Sequence, residues 1–329
     1  MRLALTYTRR RPAAELATPD EDADFEDPST ALAVADALRR DGHAVEVVEY
    51  GPGIAGELAQ LPVDLVFNIC EGRIGRNRES IVPAILESMD IPYSGSDPLA
   101  LGMTQDKSVA KAIAASAGVP TPQASTIDDP SAIDERTTPP FPLFVKPNHE
   151  GCSKGIRFDS LVSDTASLRR QVAWVIDAYR QPALVEEFLP GREISVGMLG
   201  NGEPTVLPPA EILVSDAAGA PLSFYPFEMK GKHRKRLVCP ADVDAATADT
   251  VADYARKLWR VFGIRDYCRV DFKLDARGNP SFLEMNALPG LDPEHSLYPA
   301  AGGAAGISYD ALIASILRAA TARQTSAGN

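Results

Sequence analysis

The sequence predicts an α/β (α+β) fold, with a small parallel α/β unit first and antiparallel strands further along the chain. Three observations support this class. Short apolar runs alternate with segments of helical periodicity in the first third of the chain. Two turn signals, Asn201-Gly202 and DARGNP, each separate two strand-like runs in the last part of the chain. No run approaches the roughly 20 apolar residues of a membrane helix, and we find no internal repeat.

In the first third, three strands and two helices are predicted. The strands are RLALTY, HAVEVVEY and DLVFNIC, and the helices are EDPSTALAVADALRRDG and ESIVPAILESM. Asp27 is expected to cap the first helix, with Pro28 at its first position and Gly42 after its end. The order strand, helix, strand, strand, helix indicates one parallel sheet.

Helices and strands continue to alternate in the rest of the chain. Helices are predicted in TQDKSVAKAIAASAGVPTP as far as Gly118, LVSDTASLRRQVAWVIDAY, DAATADTVADYARKLWRVF and SYDALIASILRAATA. Strands are predicted in FPLFVKP, PALVEEFL, RVDFKL and SFLEMN, with EISVGMLGNGEPTVL as a hairpin. We expect DDPSAIDERTTPPFP to be a loop and the last residues, QTSAGN, to be disordered.

The composition excludes several classes of protein. The formal net charge of −12 argues against general binding to nucleic acids or anionic membranes. The four cysteines are scattered without CxxC spacing, which suits reduced cytosolic thiols better than disulfides or a zinc site. The apolar stretch in MRLALTYTRRR is too short for a signal peptide. We therefore expect a cytoplasmic protein with no membrane and no nucleic-acid partner.

Four polar residues interrupt two apolar strands in CRVDFKLDARGNPSFLEMNALPG, residues 268–290. Side chains two apart share a strand face, so Arg269 and Asp271 point the same way, as do Glu284 and Asn286. If the strands pair, two carboxylates and an amide oxygen converge, and such hard ligands suit Mg²⁺ that phosphates also hold. An arginine beside them can neutralise phosphate or an oxyanion. A solvated face with an ion pair is the alternative, but the LPG that follows favours a metal site.

Two further segments suggest contacts with phosphate. In FVKPNHEGCSKGI, residues 144–156, a strand delivers Lys146 to a turn of small residues that includes Ser153. This is not a P-loop, because GxxxxGK[ST] is absent, and a simple hairpin turn is the alternative. In EMKGKHRKRLVCPA, five of the seven residues 230–236 are basic. That segment is either a solvated loop or a lid over polyphosphate, with Lys230 ending a strand-like FYPFEMK.

A third segment, LVEEFLPGRE, is an apolar strand that ends in acids and a turn. The strand edge there can offer backbone groups to adenine, with Glu193 reaching ribose hydroxyls. Solvated acidic side chains are the alternative.

Taken together, these segments resemble the ATP-grasp superfamily, specifically the D-alanine–D-alanine ligase group. The resemblance covers roughly residues 62–318 and includes IPYSGSDPLALGMTQDK, VKPNHEGCSKG, LVEEFLPGRE, FYPFEMK, RVDF and FLEMNALPGLDPEHS in that order. Six motifs in order are highly specific. The resemblance implies an ATP-grasp fold behind an N-terminal parallel α/β (pre-ATP-grasp) domain. The implied units are a substrate domain (1–104), a central subdomain (105–190), a catalytic subdomain (191–320) and a flexible tail (321–329).

The resemblance also implies a role for each matching position. ATP would be bound by Lys107, Lys146, Ser153, Glu186, Phe188, Leu189, Glu193 and Lys230. Two Mg²⁺ ions, or Mn²⁺, would be held by Asp271, Glu284 and Asn286. Arg269, Lys230 and the Gly290 backbone would act on the transferring phosphoryl group and the oxyanion. Ser296 would bind the carboxylate of the substrate that donates the amine.

The implied reaction joins two amino-acid-like substrates. A carboxylate attacks the γ-phosphate of ATP, and an amine then attacks the resulting acyl phosphate. An amide or peptide bond forms, and ADP and phosphate are released. A closed lid is needed because water destroys the acyl phosphate. A homodimer through the N-terminal domain is a further expectation from the resemblance.

The N-terminal region departs from the group's pattern. Those ligases carry a Gly-Gly turn and an acidic stretch after the first strand, whereas this chain has TYTRRRPAAELATPDEDADFEDPST. Glu26 or Asp27 would have to anchor the amine of the first substrate, and Asp27 as a plain helix cap is the alternative. Cys152 replaces a serine, Gly231 a tyrosine and Glu71 a histidine.

All of these positions line the first-substrate pocket in the group, so we expect retained chemistry on a changed carboxylate substrate. Arg73, Arg76 and Arg78 would grip an added acidic group, or they are ordinary surface arginines. Three other hypotheses remain: a D-alanine–D-alanine ligase, an ATP-binding protein that has lost catalysis, and a kinase that stops at phosphoryl transfer.

Overall fold

Alternating helices and strands build the chain, and the computed structural model describes residues 1–134, 138–216, 218–229 and 235–327. The strands are β1 Arg2–Tyr7, β2 Ala44–Glu49, β3 Leu65–Ile69, β4 Ala124–Ile127, β5 Leu143–Pro147, β6 Leu161–Val162, β7 Ala183–Glu187, β8 Glu193–Gly200, β9 Thr205–Val206, β10 Glu211–Val214, β11 Lys235–Val238, β12 Asp266–Leu274 and β13 Pro280–Asn286. The α-helices are α1 Pro28–Arg40, α2 Ile54–Gln60, α3 Ile81–Ser88, α4 Pro98–Gln105, α5 Lys107–Ser116, α6 Thr165–Tyr179, α7 Ala245–Phe262, α8 Leu297–Ala304 and α9 Tyr309–Ala327.

The first sheet is parallel, in the order β2-β1-β3, as the sequence predicts. Asp27 caps α1 and accepts a hydrogen bond of 2.9 Å from the Ser29 backbone N–H, and Gly42 follows the helix with a φ of 88°. The predicted element order was wrong in one place, because the short helix α2 lies between β2 and β3. IAGELAQ is too short to show helical periodicity clearly.

The central sheet has the order β4-β7-β5-β6 and is antiparallel. Helix α6 packs against it and is capped by Asp164, which accepts a hydrogen bond of 2.7 Å from the Ser167 backbone. A core of fully buried aliphatic side chains lies between them, including Leu143, Val172 and Val185. This packing holds the carboxyl ends of β5 and β7 in fixed positions.

The third sheet, β13-β12-β8-β9, is antiparallel and contains both predicted hairpins. A β-bulge between β12 and β13 shifts the register after Asp271, so that Phe272 lies opposite Phe282 rather than Leu283. Both phenylalanines are fully buried as a result. The bulge thus keeps large apolar groups on one face while the polar groups before it stay on the other.

The first and third sheets share one hydrophobic core, which includes Leu38 of α1, Val270 of β12 and Leu312 of α9. Helix α9 also contacts α1 through an ion pair, in which Arg40 Nε lies 2.6 Å from Asp310 Oδ2. The helix runs to Ala327, so most of the QTSAGN segment that was expected to be disordered is helical. Gly328 and Asn329 lie outside the described residues.

Two further predictions of local structure were wrong. The single helix predicted through TQDKSVAK is two helices, α4 and α5, separated at Asp106, whose backbone is extended (φ −85°, ψ 101°). Asp106 caps α5 instead, because its side chain accepts hydrogen bonds from two backbone N–H groups at 3.1 Å. The strand-like FYPFEMK contains a short 3₁₀-helix, Phe227–Met229.

Within the described ranges, no single helix has both the length and the apolar character to cross a membrane. Helices α8 and α9 meet the length and composition test only when taken together, and they are bent by 103° at their junction.

Candidate active site

Arg269, Asp271, Glu284 and Asn286 lie on one face of the β12–β13 hairpin. Arg269 is paired with Asn286 and Asp271 with Glu284 across the two strands. The Arg269 guanidinium donates to both oxygens of Asp271, at 2.9 Å from Nε and 2.8 Å from Nη2. Asn286 Nδ2 donates to Asp271 Oδ2 at 2.9 Å. The structure therefore brings together the four side chains that the sequence placed on one strand face.

Two further residues complete this cluster. The sequence analysis did not single out Ser195, and it assigned Lys107 to ATP. Ser195 of β8 donates a hydrogen bond of 2.6 Å to Asp271 Oδ1. Lys107, at the start of α5, places its Nζ 3.0 Å from Glu284 Oε2 and also donates to the Glu150 carbonyl. Because the helix breaks between α4 and α5, Lys107 is the first residue of α5 and its side chain reaches Glu284 of the hairpin. Ser195 has no sequence signal beyond the alternation of its strand.

Oxygen donors and cations alternate in this cluster, which fits a site for Mg²⁺ and phosphate. Asp271, Glu284 and Asn286 offer carboxylate and amide oxygens, the ligands that Mg²⁺ prefers. Arg269 neutralises the Asp271 carboxylate, and Lys107 neutralises the Glu284 carboxylate. Among the residues that the structure describes, no three His, Cys, Asp or Glu side chains are grouped so as to hold a metal alone. Phosphate oxygens would have to complete the coordination.

Both sides of the Lys107–Glu284 pair are charged at neutral pH. Burial by itself would raise the pKa of the Glu284 carboxyl, but Lys107, Lys146 and Arg269 outweigh it and lower this pKa to about 2. Burial lowers the pKa of Lys107, and the nearby Glu284 more than reverses that effect, so the pKa of the amine is raised. The cluster is therefore a preformed set of fixed charges.

The residues predicted to bind the adenine end form a buried ion cluster. Glu186 Oε1 lies 2.6 Å from Lys146 Nζ, and Glu186 Oε2 lies 2.8 Å from Lys111 Nζ. All three side chains are at least 95% buried. Burial would raise the pKa of Glu186, but the two lysines outweigh it and lower this pKa to about 2. Lys111 was missed because it looks like an ordinary helical lysine in the sequence.

We expect Glu186→Ala to lower the free energy of unfolding by about 3–5 kcal/mol, because it leaves two buried lysines without their partner. The pKa of Glu186 is below its ordinary value of 4.5 in the fold. The stabilisation is therefore present above pH 4.5 and is lost as the pH falls toward 2. Urea denaturation at several pH values measures both effects. Glu187→Ala, an exposed neighbour on the same strand, is the control, and equal losses in the two variants would contradict the prediction.

Aromatic and basic side chains surround the same end of the site. The rings of Phe144 and Phe188 are stacked with their centroids 6.1 Å apart, and Phe224 meets Phe144 edge-on at 5.1 Å. Leu189 beside them is 8% exposed. The stacked rings and Leu189 thus provide an apolar surface next to the Lys146–Glu186 ion cluster.

Glu193 and Lys273 face each other near this surface. Glu193 Oε2 lies 3.7 Å from Lys273 Nζ, and the Glu193 side chain is 44% exposed. Lys273, which the sequence analysis missed, is buried on the same strand face as Asp271. Its spacing of two residues from Asp271, a candidate metal ligand on the same strand, was the sequence signal that could have identified it.

The glycine turn after β5 has the backbone that its small residues suggest. Cys152, Ser153 and Gly155 have φ values of 48°, 61° and 73°. A Cβ on Gly155 would lie 2.3 Å from Pro147 Cγ, so only glycine fits there. The Gly155 N–H donates a hydrogen bond of 3.0 Å to Asp20 Oδ2, and the Tyr179 hydroxyl donates to the same oxygen. The N-terminal loop is therefore bound to this turn.

The three arginines considered for an acidic substrate group are all paired with acids of the chain. Arg73 Nη1 lies 3.5 Å from Asp22 Oδ2, and Arg76 Nη2 lies 3.0 Å from Asp106 Oδ2. The third, Arg78, is neither a surface residue nor an unpaired cation. Its side chain is 5% exposed and lies 3.0 Å from Asp24 and 3.4 Å from Glu150. The interpretation of these arginines as a grip for an added acidic group finds no support in these contacts.

A cavity of about 350 Å³ joins the hairpin to the N-terminal loop. Its lining includes most of the expected catalytic and substrate residues, namely Arg269, Glu284, Asn286, Lys107, Gly290, Ser296, Glu26, Asp27, Glu71 and Cys152. It also includes residues that the sequence analysis did not single out, among them Asp24, Glu79, Gln105, Tyr225 and Lys235. The residues expected around adenine, Lys146 and Glu186 among them, do not line it. Lys230 and Gly231 lie outside the described residues.

Glu26, Gly290 and Ser296 meet at one wall of this cavity. A Cβ on Gly290 would lie 2.9 Å from Ser296 Oγ and 3.5 Å from Glu26 Oε1. Burial raises the pKa of the Glu26 carboxyl. Asp27 is an N-cap, as the alternative interpretation held, and its carboxylate is bound to the Ser29 backbone and hydroxyl. Of the two candidates to anchor an amine, Glu26 has the better position.

Comparisons with known proteins agree on one family. A family model described as "D-ala D-ala ligase C-terminus" matches residues 113–318. An uncharacterised protein of Sinorhizobium fredii, y4sG, is 38% identical over 300 residues, which cover 88% of this chain and 87% of that protein. The D-alanine–D-alanine ligase of Bordetella petrii is 34% identical over 295 residues, which cover 88% of this chain and 86% of that enzyme.

The fold has a solved counterpart. The crystal structure of D-alanine–D-alanine ligase from Bacillus anthracis complexed with ATP has a TM-score of 0.77 to this structure and covers 99% of each chain. At 21% sequence identity this likeness concerns the fold, and it confirms the fold class that the sequence predicts.

Proposed function

This chain belongs to the D-alanine–D-alanine ligase family of ATP-grasp enzymes, and from that premise we propose an ATP-dependent carboxylate–amine ligase whose first substrate is not D-alanine. An ATP-grasp ligase of this family forms a carbon–nitrogen bond. The observation that supports the proposal is the cavity at the hairpin. Arg269, Glu284 and Gly290 line this cavity together with Glu71 and Cys152, which stand where the resemblance leads one to expect a histidine and a serine.

In the first step, the carboxylate of the first substrate attacks the γ-phosphorus of ATP, and the bond to the ADP oxygen breaks. Lys107 and Lys146 would neutralise phosphate charge, and each is paired with a glutamate of the chain. Mg²⁺ held by Asp271, Glu284 and Asn286 would supply further positive charge to the phosphate oxygens. Glu26 would orient the substrate by accepting hydrogen bonds from its ammonium group.

In the second step, the amine of the second substrate attacks the acyl carbon and loses a proton, and phosphate leaves with its electron pair. Arg269 and the Gly290 N–H would hold the oxyanion of the tetrahedral intermediate. Burial lowers the pKa of Arg269, but Asp271 and Glu284 outweigh it and raise this pKa, so the guanidinium keeps its charge throughout. Ser296, next to Gly290, would position the carboxylate of the second substrate.

The acyl phosphate must be protected from water during these steps. The basic segment 230–236 is the candidate lid. Lys235, the first residue of β11, lines the cavity, and the five residues before it lie outside the described part of the chain. A lid of lysines and arginines would add positive charge over the triphosphate as it closes.

The second candidate is D-alanine–D-alanine ligation itself, since relatives at 33–34% identity carry that name. One assay separates the two. The protein is incubated with Mg-ATP and all pairs from a panel of D- and L-amino acids, and phosphate release is measured with the mass of each product. We expect equal amounts of phosphate and a dipeptide-like product for at least one first substrate other than D-alanine. Turnover with D-alanine pairs alone would instead establish the second candidate.

A further inference from the structure

The N-terminal end of the cavity is rich in carboxyl groups. Asp24, Glu26, Glu71, Glu79 and Glu150 all line it. Two of these, Asp24 and Glu150, are paired with Arg78, and Glu150 is also 2.9 Å from Lys154. Arg78 is therefore already bound to part of this acidic set, whereas Arg10, which also lines the cavity, donates to the backbone carbonyls of Asp22 and Ala23. Three carboxyls remain. Glu26 lies near Gly290, and Glu71 and Glu79 lie close to each other.

Glu71 follows β3 and Glu79 lies in the 3₁₀-helix Arg78–Ser80, so the first sheet and the next helix position them from two sides. The two carboxyls line the same cavity and lie close enough for each to affect the pKa of the other. In the described part of the chain, neither forms an ion pair within 4.0 Å. Two carboxyl groups this close repel each other when both are ionised in a site with little water, which favours a shared proton, and the nearby Arg78 opposes this effect in part. Burial and this mutual repulsion raise the pKa of Glu71.

A third polar side chain at this end has no partner. Gln105, the last residue of α4, is 6% exposed and lines the same cavity. Neither its amide nitrogen nor its amide oxygen has a hydrogen-bond partner among the residues that the structure describes. A buried amide without partners is unfavourable, so such groups usually meet a ligand or an ordered water. It lines the same cavity as the two carboxyls, and α4 packs against the 3₁₀-helix that carries Glu79, so a donor-rich group in this part of the cavity would be stabilised.

We propose that Glu71, Glu79 and Gln105 form a subsite for a cationic nitrogen group on the side chain of the first substrate. The substrate class is thus a basic amino acid, with a side-chain ammonium or guanidinium group, and not a neutral one such as D-alanine. The inference rests on the ligase function proposed above. Glu26 would bind the α-ammonium near Gly290, and the subsite would bind the second cation deeper in the same cavity.

The electrostatics favour this occupant over an acidic or an apolar side chain. A cation replaces the proton that the two carboxyls share, and each carboxylate then accepts a charge-assisted hydrogen bond. The Gln105 amide oxygen can accept a further bond from the same group. An acidic side chain would meet two carboxyls, and their neighbouring cation, Arg78, is already paired with Asp24 and Glu150. An apolar side chain would leave the Gln105 amide unsatisfied.

The test compares matched pairs of first substrates on the full-length protein with Mg-ATP. Lysine and ornithine are compared with norleucine, and arginine with citrulline, in both stereochemical forms and with a panel of second substrates. We expect kcat/KM at least about 10-fold higher for a basic amino acid than for its neutral counterpart, because the neutral side chain loses the charged hydrogen bonds to the subsite. Ammonium and guanidinium side chains are distinguished by which pair shows the difference.

Three variants locate the effect. Glu79→Gln, Glu71→Gln and Gln105→Met should each raise KM for the basic substrate more than they lower kcat, while thermal denaturation shows that they are folded. Glu57→Gln, an exposed glutamate on α2, is the control. Equal kcat/KM for basic and neutral counterparts, or no change in KM in all three variants, would overturn the subsite.

Failure of the ligase proposal is distinguishable from failure of the subsite. Calorimetric binding of lysine, arginine, norleucine and citrulline is measured in the presence of Mg²⁺ and a non-hydrolysable ATP analogue. If no pair is ligated but a basic amino acid binds more tightly than its neutral counterpart, the subsite stands and the proposed reaction fails. If the neutral counterparts bind equally well, or nothing binds, the subsite is wrong.

Discussion

Glu284→Gln is expected to reduce kcat by about a thousandfold or more. Glu284 is a candidate Mg²⁺ ligand and the partner of Lys107, at 3.0 Å. Glutamine keeps the size of the side chain and an oxygen that can accept from Lys107, but it removes the negative charge. A loss of about 4 kcal/mol of transition-state stabilisation corresponds to this factor. Phosphate release under saturating Mg-ATP measures it.

The same variant should stay folded, because the Glu284 side chain is 21% exposed and glutamine retains the hydrogen bond. Glu294→Gln, an exposed glutamate after the hairpin, serves as the matched control and should retain normal turnover. Isothermal titration with Mg²⁺ in the presence of an ATP analogue gives an independent readout. Unchanged turnover together with unchanged Mg²⁺ affinity in Glu284→Gln would refute the assignment of this residue to the metal.

Arg269→Ala is expected to reduce kcat by about a thousandfold, the lower end of what loss of an arginine on a transferring phosphoryl group produces. The guanidinium is held by a two-point contact with Asp271, so its position is fixed before the reaction. Arg269→Lys should recover only a small part of the activity, since an ammonium cannot make both contacts. We expect kcat to fall more than KM rises, because the interaction strengthens in the transition state.

Arg277→Ala, in the exposed turn of the same hairpin, is the matched control. Single-turnover measurements of phosphate release and of product formation separate the two steps of the reaction. Loss of product with undiminished phosphate release would place Arg269 in the second step alone. A normal rate of both steps in folded Arg269→Ala would exclude it from the site.

The sequence predicted the hairpin well because its information is local. Alternation along RVDFKL and SFLEMN, with a turn between them, is sufficient to place Arg269 and Asp271 on one face and to pair the strands. The β-bulge after Asp271 could not be predicted in this way. It depends on burying both Phe272 and Phe282 against a core to which distant helices contribute.

Contacts between distant parts of the chain account for the other differences. Arg78 was considered for the substrate because its partners, Asp24 and Glu150, are 54 and 72 positions away in the sequence. Lys111 gave no signal because Glu186 meets it only after β7 and α5 come together. The break at Asp106 is local, but a helical pattern continues across it in the sequence, so only the capping hydrogen bonds reveal it.

The hydrogen bonds of Asp20 have a consequence for how the enzyme exchanges its nucleotide. One carboxylate oxygen of Asp20 is bound to the Gly155 backbone and to the Tyr179 hydroxyl, both on the central unit. Glu26 lies six residues further along the same loop, at the wall of the substrate cavity. Any hinge motion that swings the central unit away to release ADP must either break these bonds or pull the loop with it. In the proposed reaction, opening of the nucleotide cleft would therefore be mechanically linked to opening of the amino-acid pocket.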